Sequence, residues 1–153
     1  MENTQTVSLS GSGRGCVLVV EDDRTLAAGL RQLLESVGHS VLSCARVSTA
    51  QKTLRDRHID LVISDFNLED GSAEDLITWM SAQEASPPVL LVSAACELPG
   101  SVTQAPIVRG VLRKPAAPET VLGLVEDLLS GNLVRAAFPR LVGAAERSLL
   151  LEE

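Results

Sequence analysis

The reactive side chains of this sequence stand directly behind short apolar runs. Val17-Leu18-Val19-Val20 leads into Glu21-Asp22-Asp23, Leu61-Val62-Ile63-Ser64 into Asp65, and Val89-Leu90-Leu91-Val92 into Ser93. Val111-Leu112 leads through Arg113 into Lys114-Pro115. Carboxylates gathered at one place repel one another unless a cation lies among them, and their hard oxygens suit Mg2+ or Mn2+ better than softer metals. Glu21, Asp22 and Asp65 are the candidate ligands, with Asp23 left to cap the helix that follows. Asp65 is either a ligand only or also a nucleophile, because a carboxylate that attacks phosphorus forms an acyl phosphate. A hydroxyl at Ser93 and an ammonium at Lys114 would hold the oxygens of a transferring phosphoryl group, which is most of what a protein contributes to such a transfer.

These residues meet only if the apolar runs are strands whose C-terminal ends share one edge, as in a parallel α/β sheet. The spacing between them supports this. Leu26, Leu30, Leu33, Leu34 and Val37 recur at helical period, and Gly38 closes that helix. Val41 to Cys44 reads as a second strand, and Ser48-Thr49-Ala50-Gln51 as a capping box opening a second helix with Ala50 and Leu54 inward. A loop through Asp70-Gly71 follows Asp65. Ser72 and Asp75 then open a third helix carrying Leu76, Ile77 and Met80, and Pro87-Pro88 ends that connection. Ile107 to Leu112 supplies the fifth strand, and Pro118 starts a last helix through Val121, Leu122, Val125 and Leu128. Between Glu97 and Pro106 the helical pattern is damaged by Pro99-Gly100, Val102-Thr103 and Pro106, so a short or irregular fourth helix is expected. The architecture predicted is α/β, with a parallel sheet covered on both faces.

Residues 1–14 read as a flexible leader, 15–130 as one domain, and 131–153 as an amphipathic helical tail or connector. In that tail Leu133/Val134, Ala137/Phe138, Leu141/Val142, Ala145 and Leu149 form a stripe that Pro139 would kink. Its apolar face needs a cover, and homodimerisation is open to the chain through the last helix, this stripe, or both.

Composition narrows the functional classes. The chain has 153 residues, 45% apolar and 22% charged, which suits one globular domain with an aliphatic core. Phe66, Trp79 and Phe138 are its only aromatics and the net charge is −7, so neither stacking platforms nor a basic footprint for nucleic acid is present. No run approaches the about 18 apolar residues of a membrane span. The N-terminus is Ser/Thr/Gly-rich rather than charged and then apolar, so a cytoplasmic location without a membrane partner is expected. Cys16, Cys44 and Cys96 lack metal spacing and read as reduced, buried thiols. His39 and His58, each at the end of a helix pattern, read as surface residues without a chemical role.

Over about residues 15–130 the chain resembles the receiver domains of two-component response regulators. Carrying the resemblance are Val17 to Asp22, Asp60 to Leu68 with Asp70-Gly71, Leu91-Val92-Ser93-Ala94, and Lys114-Pro115, in that order and spacing. It implies a doubly wound, flavodoxin-like five-stranded sheet of order 2-1-3-4-5. It implies Asp65 as phosphoacceptor, Mg2+ (or Mn2+) held by Glu21, Asp22, Asp65 and the backbone carbonyl of Asn67, and phosphate-sensing positions at Ser93 and Lys114. The donor would be a phosphohistidine on a sensor histidine kinase or histidine phosphotransfer protein. The regulator would catalyse its own phosphorylation and hydrolysis and signal to a downstream protein target by changing shape. In this family the positions of Asn67 and Ala95 tune water access, and small Ala95 leaves an attacking water unblocked.

Two departures stand out. Glu69 occupies a position usually held by Pro, in a shorter loop, and Val111 stands where an aromatic rotor usually couples the phosphate to the output face. Nothing after Ser130 is long enough for a helix-turn-helix or an enzymatic module, so no output domain is expected within these residues. Other readings are a pseudo-receiver used only for protein binding and a dehalogenase-like aspartyl-phosphate hydrolase. The hydrolase needs a general acid two residues after the nucleophile, where Asn67 has no proton to give and regain.

Overall fold

The computed structural model describes residues 14–95 and 97–131. The chain runs β1 (Cys16–Val20), α1 (Arg24–Ser36), β2 (Ser40–Cys44), α2 (Val47–Asp56), β3 (Leu61–Ser64), a hairpin of β4 (Asn67–Leu68) and β5 (Gly71–Ser72), and α3 (Ala73–Ser81). It continues through β6 (Val89–Ser93), α4 (Gly100–Thr103), β7 (Val108–Arg113) and α5 (Pro118–Ser130). The main sheet has five parallel strands in the order β2-β1-β3-β6-β7, which is the expected 2-1-3-4-5 once the hairpin strands are set aside.

Strand residues alternate between two cores, as period-two side chains must. Val17, Val19, Leu61, Ile63, Leu90 and Val92 pack with Leu34 of α1 and with Val121 and Val125 of α5. Leu18, Val20, Val62, Val89 and Leu91 pack on the other face with Val47 and Ala50 of α2, and with Leu76, Ile77 and Met80 of α3. Each fully buried aliphatic side chain contributes about 1.5–3 kcal/mol. The sheet is therefore the rigid frame for whatever its ends carry.

Several local readings change. The predicted stripe on α1 is only partly inward: Leu34 is wholly buried, while Leu26 and Val37, near its two ends, are 42% and 41% exposed. The capping box at Ser48 does not form. Arg46 holds the N-cap position of α2 with no side-chain cap bond, and a remote carboxylate, Asp70, accepts the Val47 and Ser48 N–H groups instead. The capping box of α3 does form, between Ser72 and Asp75. The segment after Asp65 is a hairpin rather than a bare loop, pairing Asn67 with Ser72 and Leu68 with Gly71, because Leu68 is drawn into the core at 8% exposure. α4 is a single four-residue turn, in keeping with its damaged pattern.

His39 is not a surface residue. Gly38 (φ +100°) turns the chain out of α1 in a conformation that suits glycine, and the His39 ring falls inside, where Nδ1 accepts the Gly15 N–H at 3.3 Å. His58 is exposed and lies 2.8 Å from Asp60. Cys16 and Cys44 are free thiols, half-buried rather than buried, and burial pushes Cys44 up to about 11. Gly131, in left-handed conformation, ends α5. The leader over 1–13, Cys96 and the tail beyond Gly131 lie outside the described residues.

Candidate functional site

The parallel ladder sets the positions of the site residues by continuing one step beyond the strands. The Glu21 N–H donates to the Cys44 carbonyl at 2.9 Å, the Asp65 N–H to Val20 at 2.9 Å, and the Lys114 N–H to Ser93 at 3.0 Å. Polar residues that directly follow apolar strands thus arrive on one edge with their backbones already hydrogen-bonded. Asp23 caps α1 as expected, accepting the Thr25 and Leu26 N–H groups, and so leaves Glu21, Asp22 and Asp65 to one another.

Carboxylate oxygens of Glu21, Asp22 and Asp65 all lie within 4.8 Å of one another. Lys114 reaches in from the end of β7, its Nζ 2.9 Å from Oε1 of Glu21 and 3.3 Å from Oδ2 of Asp65. The other Glu21 oxygen accepts the Asp23 N–H at 3.1 Å, and Oδ1 of Asp65 accepts the Phe66 N–H at 2.7 Å. Burial pushes the Glu21 carboxyl above its ordinary value, against the opposing pull of Lys114 and the Asp23 amide. For Lys114 burial works the other way, but the hydrogen bond and charge of Glu21, with Asp65 beside it, hold the ammonium above its usual value. One ammonium faces three acids, one of them buried. The donor set is all hard oxygen with charge to spare, and it fits a small divalent cation.

Ser93 ends β6 at 2% exposure, and its hydroxyl accepts the Ala95 N–H at 3.1 Å. Asn67 lies exposed on the hairpin directly downstream of Asp65. The structure therefore brings together Glu21, Asp22, Asp65 and Lys114, while Ser93 and Asn67 are placed at the ends of their own elements without a hydrogen bond to the three acids. The Asp70 cap on α2 is not marked by any motif beside that helix; its one trace in the sequence is a carboxylate directly before a glycine in the loop after Asp65. The Lys114–Pro115 peptide bond is cis. Beside the Lys114–Glu21 pair opens a groove of about 460 Å³ with an apolar lining that includes Leu26, Leu30, Pro115 and Ala116.

The comparisons agree with this fold. The sequence pattern of the response regulator receiver domain matches residues 17–126. The chain is 31% identical over 138 residues to the DNA-binding transcriptional regulator NtrC of Azospirillum brasilense, covering 88% of this chain and 28% of that protein. It is 29% identical over 120 residues to the response regulator UvrY of Escherichia coli K12, covering 76% of this chain and 55% of that one. The chain thus spans about a quarter to about half the length of these relatives. Among solved structures, the signal receiver domain of an HD domain-containing protein from Pseudomonas fluorescens Pf-5 superimposes with a TM-score of 0.72 at 22% identity, over 77% of this chain and 96% of that one. The signal receiver domain of a signal transduction histidine kinase from Syntrophus aciditrophicus does so with 0.68 at 25% identity, over 86% and 99%. Among the described residues no helix is long and apolar enough to cross a membrane. Fold, strand-end chemistry and sequence pattern converge on one conclusion: this chain belongs to the response regulator receiver domain family.

Proposed function

We propose that the chain accepts a phosphoryl group from a phosphohistidine onto Asp65 and signals by the change in shape that follows. The observation that carries this reading is the placement of Lys114 Nζ between Glu21 and Asp65, with Asp22 in the same cluster. An Asp65 oxygen attacks phosphorus, the P–N bond to the donor imidazole breaks, and the ring nitrogen keeps the electron pair. Lys114 binds an oxygen of the transferring group and orients Asp65 from its position beside Oδ2. Ser93, whose oxygen accepts the Ala95 N–H, donates its own O–H to a second phosphoryl oxygen. Glu21, Asp22, Asp65 and the Asn67 carbonyl would hold Mg2+, which supplies compensation for the negative charge gathered there. Hydrolysis by the same residues makes the protein a self-limiting phosphoacceptor, with a downstream protein as its target. The groove beside Lys114 is open to a helical or loop surface bearing the donor histidine, on a sensor kinase or phosphotransfer protein. Nothing in the reading requires direct contact with nucleic acid, a membrane or a second copy of the chain; its setting is the cytoplasm.

Incubation with acetyl phosphate and Mg2+, followed by intact mass, tests the reading. The expected result is one phosphoryl-sized gain that Asp65→Asn abolishes and chelator prevents. No gain in the native chain would leave a binding-only module, and multiple turnovers on small phosphate esters would indicate a hydrolase.

A further inference from the structure

Asn67 stands on a hairpin of two residue pairs, and a ribbon of that size does not hold its own position. Its support comes from the neighbouring strand–helix unit. Both oxygens of Asp70 are engaged there, Oδ1 accepting the Val47 N–H at 2.6 Å and Oδ2 the Ser48 N–H at 3.1 Å. The Glu69 N–H donates to the Ala45 carbonyl at 3.3 Å, and Arg46 lies 3.1 Å from Glu69. Between these bonds Leu68 enters the core that also contains Val47 and Ala50. The N-cap residue of α2, Arg46, makes no cap bond of its own. Asp70 therefore does two things at once: it closes the first turn of α2, and it clasps the hairpin to that turn.

We propose that Asp70 is a positioning residue for the cation site, fixing through its two N–H bonds the hairpin from which Asn67 presents its carbonyl. This rests on the reading of Glu21, Asp22, Asp65 and Asn67 as a Mg2+ site. Asp70 is not itself a ligand in this scheme. Outer partners that orient ligands commonly matter to metal affinity by about 10–100-fold when removed. A residue that served only as a helix cap would affect stability and leave affinity alone.

Mn2+ titration of the full chain, followed by electron paramagnetic resonance, separates the two roles when read beside thermal midpoints. Asp70→Ala is expected to bind Mn2+ about tenfold more weakly and to melt lower. Arg46→Ser/Asp70→Ala, which gives α2 a cap of its own, is expected to regain the midpoint without regaining affinity when read against Arg46→Ser alone, which loses the same Glu69 contact. Asp70→Asn, keeping one acceptor oxygen, is expected to regain part of the affinity. Native affinity in Asp70→Ala, or affinity recovered together with the midpoint in the double variant, would reduce Asp70 to a cap and overturn the inference. If the native chain itself binds no Mn2+, the cation reading fails and the inference fails with it.

Discussion

The ammonium of Lys114 stands 2.9 Å from Oε1 of Glu21, a carboxylate that is 5% exposed. This contact is well sheltered, with the Lys114 side chain 20% exposed, and it spans the acidic cluster. Replacing Lys114 by Met leaves Glu21 buried without its countercharge, beside Asp65. Losing one partner of a buried pair costs about 3–5 kcal/mol. Lys114 is one-fifth exposed, and Glu21, already pushed up by burial, can escape by taking a proton, so a loss of about 1–3 kcal/mol is expected. Glu21 in the variant has a folded value further above its unfolded one, so the deficit is full at neutral pH and shrinks as pH falls into that raised range. Urea unfolding in chelator at neutral and mildly acidic pH measures it. A deficit equal at both would mean that Glu21 is not the group left exposed to the loss.

His39 predicts a second pH dependence of opposite origin. Burial lowers its value, with Arg14 adding to that and Glu126 opposing, and Nδ1 needs its lone pair to accept the Gly15 N–H. The folded state therefore binds fewer protons than the unfolded chain at mildly acidic pH. Stability is full above the unfolded value of about 6.5 and falls as pH drops below it toward the lowered folded value. His39→Asn, which keeps an acceptor near the Nδ1 position, is expected to flatten this slope. Urea midpoints above and below that value test it, and an undiminished slope in the variant would place the dependence elsewhere.

What was legible in the sequence was whatever depended on neighbours in the chain. Apolar runs such as Val17 to Val20 announce a strand, and the polar residue behind each run is bound to arrive at the same sheet edge because parallel pairing is in register. Asp23 and the Ser72–Asp75 pair cap helices that begin immediately after them. What was not legible depended on partners remote in the chain. Asp70 caps a helix that starts 23 positions earlier, so the local Ser48 motif looked sufficient when it was not. His39 is buried by contact with Gly15, 24 positions away, and nothing in its immediate surroundings marks it as interior. The hairpin after Asp65 depends on Leu68 finding the core beside Val47, which no short-range pattern encodes.

Ala95 offers a kinetic prediction within the phosphoacceptor reading. It is half-buried, and its N–H is spent on the Ser93 hydroxyl, so the side chain marks the approach to the phosphoryl group without taking part in the transfer. With only a methyl group there, water meets little obstruction. Ala95→Met is expected to slow loss of the phosphoryl group while leaving its acquisition from acetyl phosphate largely intact. Time-resolved intact mass after removal of the donor measures this, and an unchanged decay would show that water reaches phosphorus by another route.

The segment 97–106 sets little against a change of shape. α4 within it is four residues long, with Val102 as its buried side chain, and Ser101 Oγ donates to Glu74 of α3 at 2.5 Å. A helix that short has little stability beyond its tertiary contacts, and segments of that kind open at the low end of the stability range. Val111, half-buried on the neighbouring strand, has no aromatic ring to swing, so within the phosphoacceptor reading the segment that follows Ser93 is the candidate carrier of the change in shape. Order and disorder of a short element is a recognised way to make such a switch. Beryllofluoride, standing for the phosphoryl group on Asp65, is therefore expected to alter hydrogen exchange over 97–106 by more than over β1, β3 or β6, whose backbones are locked in the parallel ladder. Equal protection of 97–106 with and without beryllofluoride would show that the signal leaves the site by another face of the domain.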